Sequence, residues 1–212
     1  QLRQITLKHD LFLFADEVYR EMVYDGKKHK SILTLEGLEQ NAVVLDSISK
    51  RYSACGARIG AIVSKNKELM DSALRFGQSR LCPPTLDQAG AEAAIDVPGS
   101  YFDGIITEYK ARRDLLVERL NNMKGVTCPN PGGAFYTTVK LPVDASERFC
   151  QWILESFEHE KQTVMMAPAP GFYATQGLGK QEVRIAYVLN TDELGKAMDV
   201  LEIALEKYPG KL

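Results

Sequence analysis

The sequence lacks long hydrophobic runs and carries no excess of charge of either sign. Its 212 residues include 26 Lys and Arg against 28 Asp and Glu, for a formal net charge of −2. Without a basic excess, no charge drives binding to nucleic acid or to an anionic membrane surface. The apolar stretches at 11–15 and 42–45 are far shorter than the roughly 20 residues of a membrane-spanning helix. We expect a small molecule or another protein as the partner.

Cysteine is also scarce, and the four cysteines lie far apart, at Cys55, Cys82, Cys128 and Cys150. No Cys-x-x-Cys spacing or nearby histidine cluster accompanies them, which disfavours a zinc site and a disulfide framework. We therefore expect no metal site and a reducing, cytoplasmic location. The chain starts at Gln1 without a signal-peptide or transit-peptide pattern. Because residues 1–9 already have a helical pattern, we expect the later part of a longer protein.

The first third of the sequence alternates short apolar runs with helical patterns. Apolar runs at 11–15, 41–45 and 58–63 are typical of strands that are buried on both faces of a parallel sheet. A helix is predicted over 66–76, with Asn66 as its N-cap and Gly77 as its C-terminal stop. This alternation predicts an α/β fold.

The composition changes between residues 80 and 100, where Pro-Pro and Pro-Gly-Ser segments flank an Ala-rich stretch. We place a domain boundary there, which gives a first domain at 1–99 and a second at 100–212. Asn190 followed by Glu193 has the pattern of a capping box at the start of the last helix. The second domain is predicted to be a compact α+β unit, with helices over 101–124, 146–160 and 191–207 and strands near 134–139, 164 and 183–188.

Clusters of polar residues follow the first two predicted strands. The first cluster is Ala15-Asp-Glu-Val-Tyr19, and the second is Ser47-Ile-Ser-Lys-Arg51, which continues to Gly56-Ala-Arg-Ile-Gly60. In open parallel sheets, ligands bind beyond the carboxyl ends of the strands. Together these clusters resemble the cofactor half of the fold-type-I pyridoxal-phosphate aminotransferases, specifically the aspartate aminotransferase family.

The resemblance extends along essentially the whole chain and includes Gly132-Gly-Ala-Phe-Tyr136 and Val183-Arg-Ile-Ala-Tyr187. It implies the C-terminal part of the family's large parallel-sheet domain, followed by the small α+β domain. It also implies pyridoxal 5′-phosphate as the cofactor, an amino acid and a 2-oxo acid as substrates, and a homodimer. The family protein is about twice this length, so several of its cofactor ligands have no counterpart here.

Three residues take catalytic roles through this resemblance. Lys50 matches the lysine that forms the Schiff base with the cofactor and then moves a proton as general acid and base. Asp16 matches the carboxylate that pairs with the pyridinium nitrogen, and Tyr19 matches the phenol at the cofactor's 3′-oxygen. The simpler alternatives are a solvated lysine, a helix N-cap and a core aromatic residue.

Three more residues match ligands of the cofactor or the substrate. Ser47 and Arg58 resemble the phosphate ligands, since a guanidinium fork and a hydroxyl donor both suit a phosphate group. Arg184 matches the arginine that binds the substrate α-carboxylate, with an outward-facing salt bridge as the alternative. For Arg51, beside the lysine, a solvated position is the simpler expectation.

The substrate stays open at this stage. Aspartate or glutamate is the first expectation, although Arg80 does not align cleanly with the family's ligand for a distal carboxylate. Alternatives are a pyridoxal-phosphate-dependent lyase of the same fold and a truncated, non-enzymatic dimerisation module. We expect the 212 residues alone to be inactive.

Overall fold

The computed structural model describes all 212 residues, and the chain divides into two compact units. The first unit comprises Gln1–Asp103 and the second Gly104–Leu212. No helix combines the length and the apolar character needed to cross a membrane.

The first unit is built on a three-stranded sheet with the order β1-β2-β3. Its strands are β1 (Leu13–Asp16), β2 (Ala42–Ser47) and β3 (Gly60–Val63). β1 and β2 run parallel, as predicted, whereas β3 pairs antiparallel to β2. The sheet is therefore mixed. The connection at 48–59 contains no crossover helix of the length that a parallel return requires, so the chain turns back beside β2.

The helices of the first unit are α1 (Leu2–Lys8), α2 (Ile48–Arg51), α3 (Lys67–Ser79) and α4 (Thr85–Ala93). Asn66 caps α3 as predicted, because its Oδ1 accepts a hydrogen bond from the Leu69 N–H at 2.9 Å. The prediction that Gly77 ends this helix is wrong. The helix continues to Ser79, since a glycine inside a helix costs only about 1 kcal/mol relative to alanine.

Burial in the first sheet differs from the expectation of strands covered on both faces. Only β2 is well covered, with Ala42, Val43 and Val44 buried. Phe14 of β1 is 57% exposed, and all four residues of β3 are exposed. The helices of this unit leave the outer strands uncovered, so the apolar runs predicted the strands correctly and their burial wrongly.

The second unit contains an antiparallel sheet with the order β4-β6-β5. Its strands are β4 (Tyr136–Lys140), β5 (Ala167–Pro168) and β6 (Glu182–Ala186). The helix α5 (Ser100–Asn122) begins in the first unit and continues into the second, which also contains α6 (Ser146–Glu155) and α7 (Thr191–Lys207). The predicted α+β content is confirmed, although α6 ends earlier than expected and β5 starts later.

The core of the second unit lies between its sheet and helices. Val139, Phe149, Ile153, Val183 and Leu201 are all 0% exposed. At the start of α7 the predicted cap is confirmed, because Asn190 Oδ1 accepts from the Glu193 N–H at 2.9 Å. Apolar burial of this kind is the main favourable term in folding, and this unit obtains it from its own residues.

Candidate functional site

One edge of the first sheet gathers most of the predicted site residues. Asp16 is the last residue of β1 and is the register partner of Leu45, while Ser47 ends β2 and pairs with Gly60. Since β1 and β2 are parallel, their carboxyl ends lie at the same edge. The connection at 48–59 leaves and rejoins the sheet at that edge, and it contains Lys50 and Arg58.

Ser47 organises this connection. It has an extended backbone and caps α2, because its Oγ accepts a hydrogen bond from the Ser49 N–H at 3.1 Å. The same Oγ lies 2.8 Å from the carbonyl oxygen of Ile59, to which it can donate. The hydroxyl therefore joins the two ends of the connection. Lys50, the third residue of the single-turn α2, is half-buried beside it.

Asp16 and Tyr19 occupy the turn that follows β1. The Asp16 side chain is exposed, and its Oδ1 accepts a long hydrogen bond of 3.2 Å from the Val18 N–H. No helix begins here, so the alternative role of Asp16 as a helix N-cap is wrong. Tyr19 is half-buried, and its carbonyl oxygen accepts from the Met22 N–H at 2.9 Å.

Arg58 adopts a left-handed backbone, with φ 56° and ψ 39°. That conformation is uncommon for a residue with a side chain, and here it ends the 3-10 turn Cys55–Ala57. The Nη1 of Arg58 donates a hydrogen bond to the Cys55 carbonyl oxygen at 2.9 Å. The guanidinium is otherwise exposed, so most of its five N–H donors remain able to bind an anion.

Glu17, next to Asp16, was not singled out in the sequence. Its side chain is only 3% exposed and lies 2.9 Å from His29 Nε2. Its Oε1 also accepts from the Ile32 N–H at 2.9 Å. Burial raises the pKa of this carboxyl, but the hydrogen bonds outweigh burial and hold the pKa below the ordinary value. Glu17 thus secures the segment after β1, and no short-range pattern predicts a partner twelve residues away.

Arg51 contradicts the expectation of a solvated position. Its side chain is 13% exposed and contacts the carboxylates of Asp46 and Glu21 at 2.8 and 2.9 Å. Arg51 is therefore a largely buried charge directly beside Lys50. Asp46 lies only five residues before Arg51 in the sequence. The sequence does not show that Arg51 also contacts Glu21.

Arg184 lies in the second unit, on the exposed face of β6. Its guanidinium carbon is 4.8 Å from the centroid of the Tyr136 ring and 4.5 Å from that of Phe172. The structure contains no salt bridge from Arg184 to a carboxylate, so the outward-facing salt bridge is not formed. The guanidinium instead makes cation–π contacts with two aromatic rings, and its N–H donors suit a planar anion such as a carboxylate.

The side chains of the first unit's edge fit a phosphorylated pyridine aldehyde. Lys50 offers a primary amine, Asp16 a carboxylate for a ring N–H, and Tyr19 a phenol for a ring oxygen. Ser47 and Arg58 offer a hydroxyl and an exposed guanidinium for a phosphate. These five residues could hold pyridoxal phosphate, with roles that stay predictions.

Comparison with known proteins identifies the class. The family described as aminotransferase class I and II matches residues 1–201, and this chain belongs to it. The chain is 29% identical over 212 residues to the aromatic-amino-acid aminotransferase 2 of Thermococcus litoralis, covering 98% of this chain and 52% of that one. It is 26% identical over 215 residues to an aspartate aminotransferase of Bacillus subtilis, with the same coverage of both chains.

Solved structures agree. An aromatic aminotransferase of Pyrococcus horikoshii matches with a TM-score of 0.85 at 28% identity, over 97% of this chain and 54% of that chain. An aspartate aminotransferase of Thermotoga maritima matches with a TM-score of 0.82 at 29% identity, over 97% and 51%. The predicted fold-type-I architecture is thereby confirmed, and the chain spans about half the length of the relatives it matches.

Proposed function

We propose that this protein takes part in the transfer of an amino group between an amino acid, aspartate or glutamate, and a 2-oxo acid. The reaction has two stages in a ping-pong order, with pyridoxal phosphate as the carrier. The observation that carries this proposal is the gathering of Asp16, Ser47, Lys50 and Arg58 at one sheet edge. Membership in an aminotransferase family supports it.

Lys50 is the residue that moves the proton. When bound, pyridoxal phosphate supplies an aldehyde and an electron sink that stabilises negative charge at the substrate Cα. The Lys50 Nζ would take the proton from that carbon and deliver it to the cofactor's C4′ within the first stage, and it would move a proton in the opposite direction in the second stage. Lys50 lies on a turn at the sheet edge that the Ser47 side chain caps, and this cap holds its backbone.

The neighbouring residues would hold the cofactor beside that amine. Asp16 would accept a hydrogen bond from the ring nitrogen and favour its protonated form, and Tyr19 would donate to the ring oxygen. Ser47 and Arg58 would bind the phosphate, for which a guanidinium offers a planar fork. Both phosphate ligands lie next to or within the 48–59 connection that also contains Lys50.

Arg184 is proposed to bind the substrate α-carboxylate. The rings of Tyr136 and Phe172 lie close to its guanidinium, and no salt bridge to the chain's own carboxylates competes for it. An orienting fork is a function that lysine does not reproduce. A homodimer, which the family resemblance implies, and a cytoplasmic location, which the scattered cysteines favour, complete the proposal.

Covalent trapping tests the assignment of Lys50. Incubation with pyridoxal phosphate followed by borohydride is expected to give one reduced adduct, found by mass spectrometry on the peptide that contains Lys50. Lys50→Ala should abolish it, whereas Lys67→Ala, a change at an exposed lysine of α3, should leave it intact. A Lys50→Ala protein labelled as strongly as the unmodified protein would overturn the proposal.

We also propose that these 212 residues alone do not turn over substrate. The outer strands of the first sheet are uncovered, and the relatives are about twice as long. The chain is mixed with pyridoxal phosphate, aspartate and 2-oxoglutarate, and product formation is measured. We expect no turnover in the range of typical enzyme kcat values, roughly 1 to 1,000 per second. Turnover in that range would contradict a divided site.

A further inference from the structure

A small charged cluster holds the turn that contains Lys50. The cluster consists of Arg20, Glu21, Asp46 and Arg51. The Nη2 of Arg51 donates to both carboxylate oxygens of Asp46, at 3.0 and 2.8 Å. The Nε of Arg51 lies 2.9 Å from Glu21 Oε1. Arg20 contacts the same two carboxylates, at 2.9 and 3.4 Å. Two positive and two negative charges therefore balance.

The partial burial of these side chains increases the contribution of their ion pairs to stability. The side chains of Arg51, Asp46 and Glu21 are 13%, 14% and 22% exposed, whereas that of Arg20 is 39% exposed. Exposed ion pairs contribute little, but loss of one partner from a partly desolvated group leaves the other charges uncompensated. Arg51 is thus the member whose removal disturbs the cluster most.

The cluster connects three pieces of the candidate site. Arg51 follows Lys50 directly, Asp46 precedes Ser47 in β2, and Glu21 lies two residues after Tyr19. Asp46 Oδ1 also accepts from the Ser47 N–H at 2.8 Å. The helix α2 has only four residues, too few to be stable without such tertiary contacts.

We propose that Arg51 is a positioning residue that holds the Lys50 turn against the Tyr19 turn, an inference that rests on the proposed function. Arg51 does not touch the cofactor or the substrate. It keeps the lysine amine and the tyrosine phenol at a fixed spacing through Glu21 and Asp46. Arginine suits this task because its planar fork reaches two carboxylates at once, which a lysine ammonium does less well.

The test compares Arg51→Met with Arg75→Met, a matched change at an exposed arginine of α3. Arg51→Met should slow borohydride trapping at Lys50 about 10- to 100-fold, the range for a misplaced reacting group. The affinity for pyridoxine 5′-phosphate, which has the phosphate but no aldehyde, should change less than about twofold because Ser47 and Arg58 are intact. Arg51→Lys should recover part of the trapping rate, and Arg75→Met should match the unmodified protein.

A second variant and a second measurement keep the proposal falsifiable if Arg51→Met folds poorly. Asp46→Asn preserves shape and should slow trapping in the same direction by a smaller factor. Hydrogen exchange should be faster in both variants at the Tyr52 amide, which donates to the Ile48 carbonyl at 3.1 Å.

Two outcomes would overturn the positioning role. One is unchanged trapping and exchange in Arg51→Met, and the other is an equal loss of trapping and of pyridoxine phosphate binding, which indicates general unfolding. Absence of trapping in the unmodified protein would instead contradict the proposed function. In that case, faster exchange at Tyr52 in Arg51→Met still supports a structural hold on the Lys50 turn, and unchanged exchange overturns it.

Discussion

The two units divide apolar packing and polar chemistry unequally. Of the thirty buried apolar residues, six lie in the first unit and 24 in the second. The first unit exposes large apolar side chains instead, including Phe14, Phe76 and Leu86. It also contains five of the six predicted site residues, all but Arg184. Apolar packing is thus concentrated in the second unit, whereas most of the predicted site residues lie in the first.

Matched phenylalanine substitutions should give the largest difference between the units. Phe149→Ala in α6 should lower the free energy of unfolding by about 3–5 kcal/mol, because the fully buried ring leaves a cavity. Phe76→Ala in α3, where the ring is 78% exposed, should change it by less than about 0.5 kcal/mol. Urea unfolding of both variants measures this, and equal losses would break the comparison.

The four cysteines should differ in reactivity between the two units, as the buried apolar residues differ in number. Cys55 and Cys82 of the first unit are exposed, whereas Cys128 and Cys150 of the second are buried. Burial raises the pKa of the Cys150 thiol to about 11 and also raises that of Cys128, despite the contact with Thr137.

Alkylation with iodoacetamide at pH 8, followed by peptide mass spectrometry, provides the measurement. Cys128 and Cys150 should react at least about 100-fold more slowly than the exposed pair, because the thiolate is the reactive form and access is blocked. Labelling in urea serves as the control, where all four should react alike. Fast labelling of Cys150 in the folded protein would show that the second core opens readily.

Acid should weaken the first unit through Glu17, with the smallest of the three effects. The pKa of Glu17 in the folded protein is lower than its ordinary value of 4.5, so the carboxylate stabilises the fold above that pH. This contribution is lost as the pH falls through the lowered pKa. Glu17→Gln should cost about 1–3 kcal/mol at pH 7, and the deficit should shrink at a pH below the lowered pKa.

Urea unfolding at a series of pH values tests this dependence. Glu158→Gln, at an exposed position of the second unit, is the control and should show little effect at any pH. A Glu17→Gln deficit that persists unchanged at low pH would mean that packing, rather than charge, makes Glu17 stabilising.

Local features of the fold were predictable from the sequence. The caps Asn66 and Asn190 bond to amides three residues ahead, so a short window contains both partners. Which strands stay uncovered, β1 and β3, was not predictable from the apolar runs, because such a run indicates a strand and does not show what packs on it. The antiparallel direction of β3 depends on the length of the connection before it.

The sequence likewise predicts the local features of the candidate site but not its long-range contacts. Asp16 and Ser47 lie at strand ends, as their positions after apolar runs indicated, although their roles stay predictions. Glu17 and the burial of Arg51 were missed because the partners of these residues, His29 and Glu21, lie twelve and thirty residues away. Ion pairs across such distances leave no periodic pattern in a sequence.

The pairing of Ser47 with Gly60 has a consequence for the order in which the site assembles. The connection it closes is short and contains Lys50 and Arg58, so these residues come together with little loss of chain entropy. Hairpins of this kind form in about 1–10 μs. Asp16 joins only when β1 pairs with β2, a contact of much greater sequence separation that forms more slowly. When the complete chain refolds, we therefore expect the anion-binding half of the site to form before the carboxylate half.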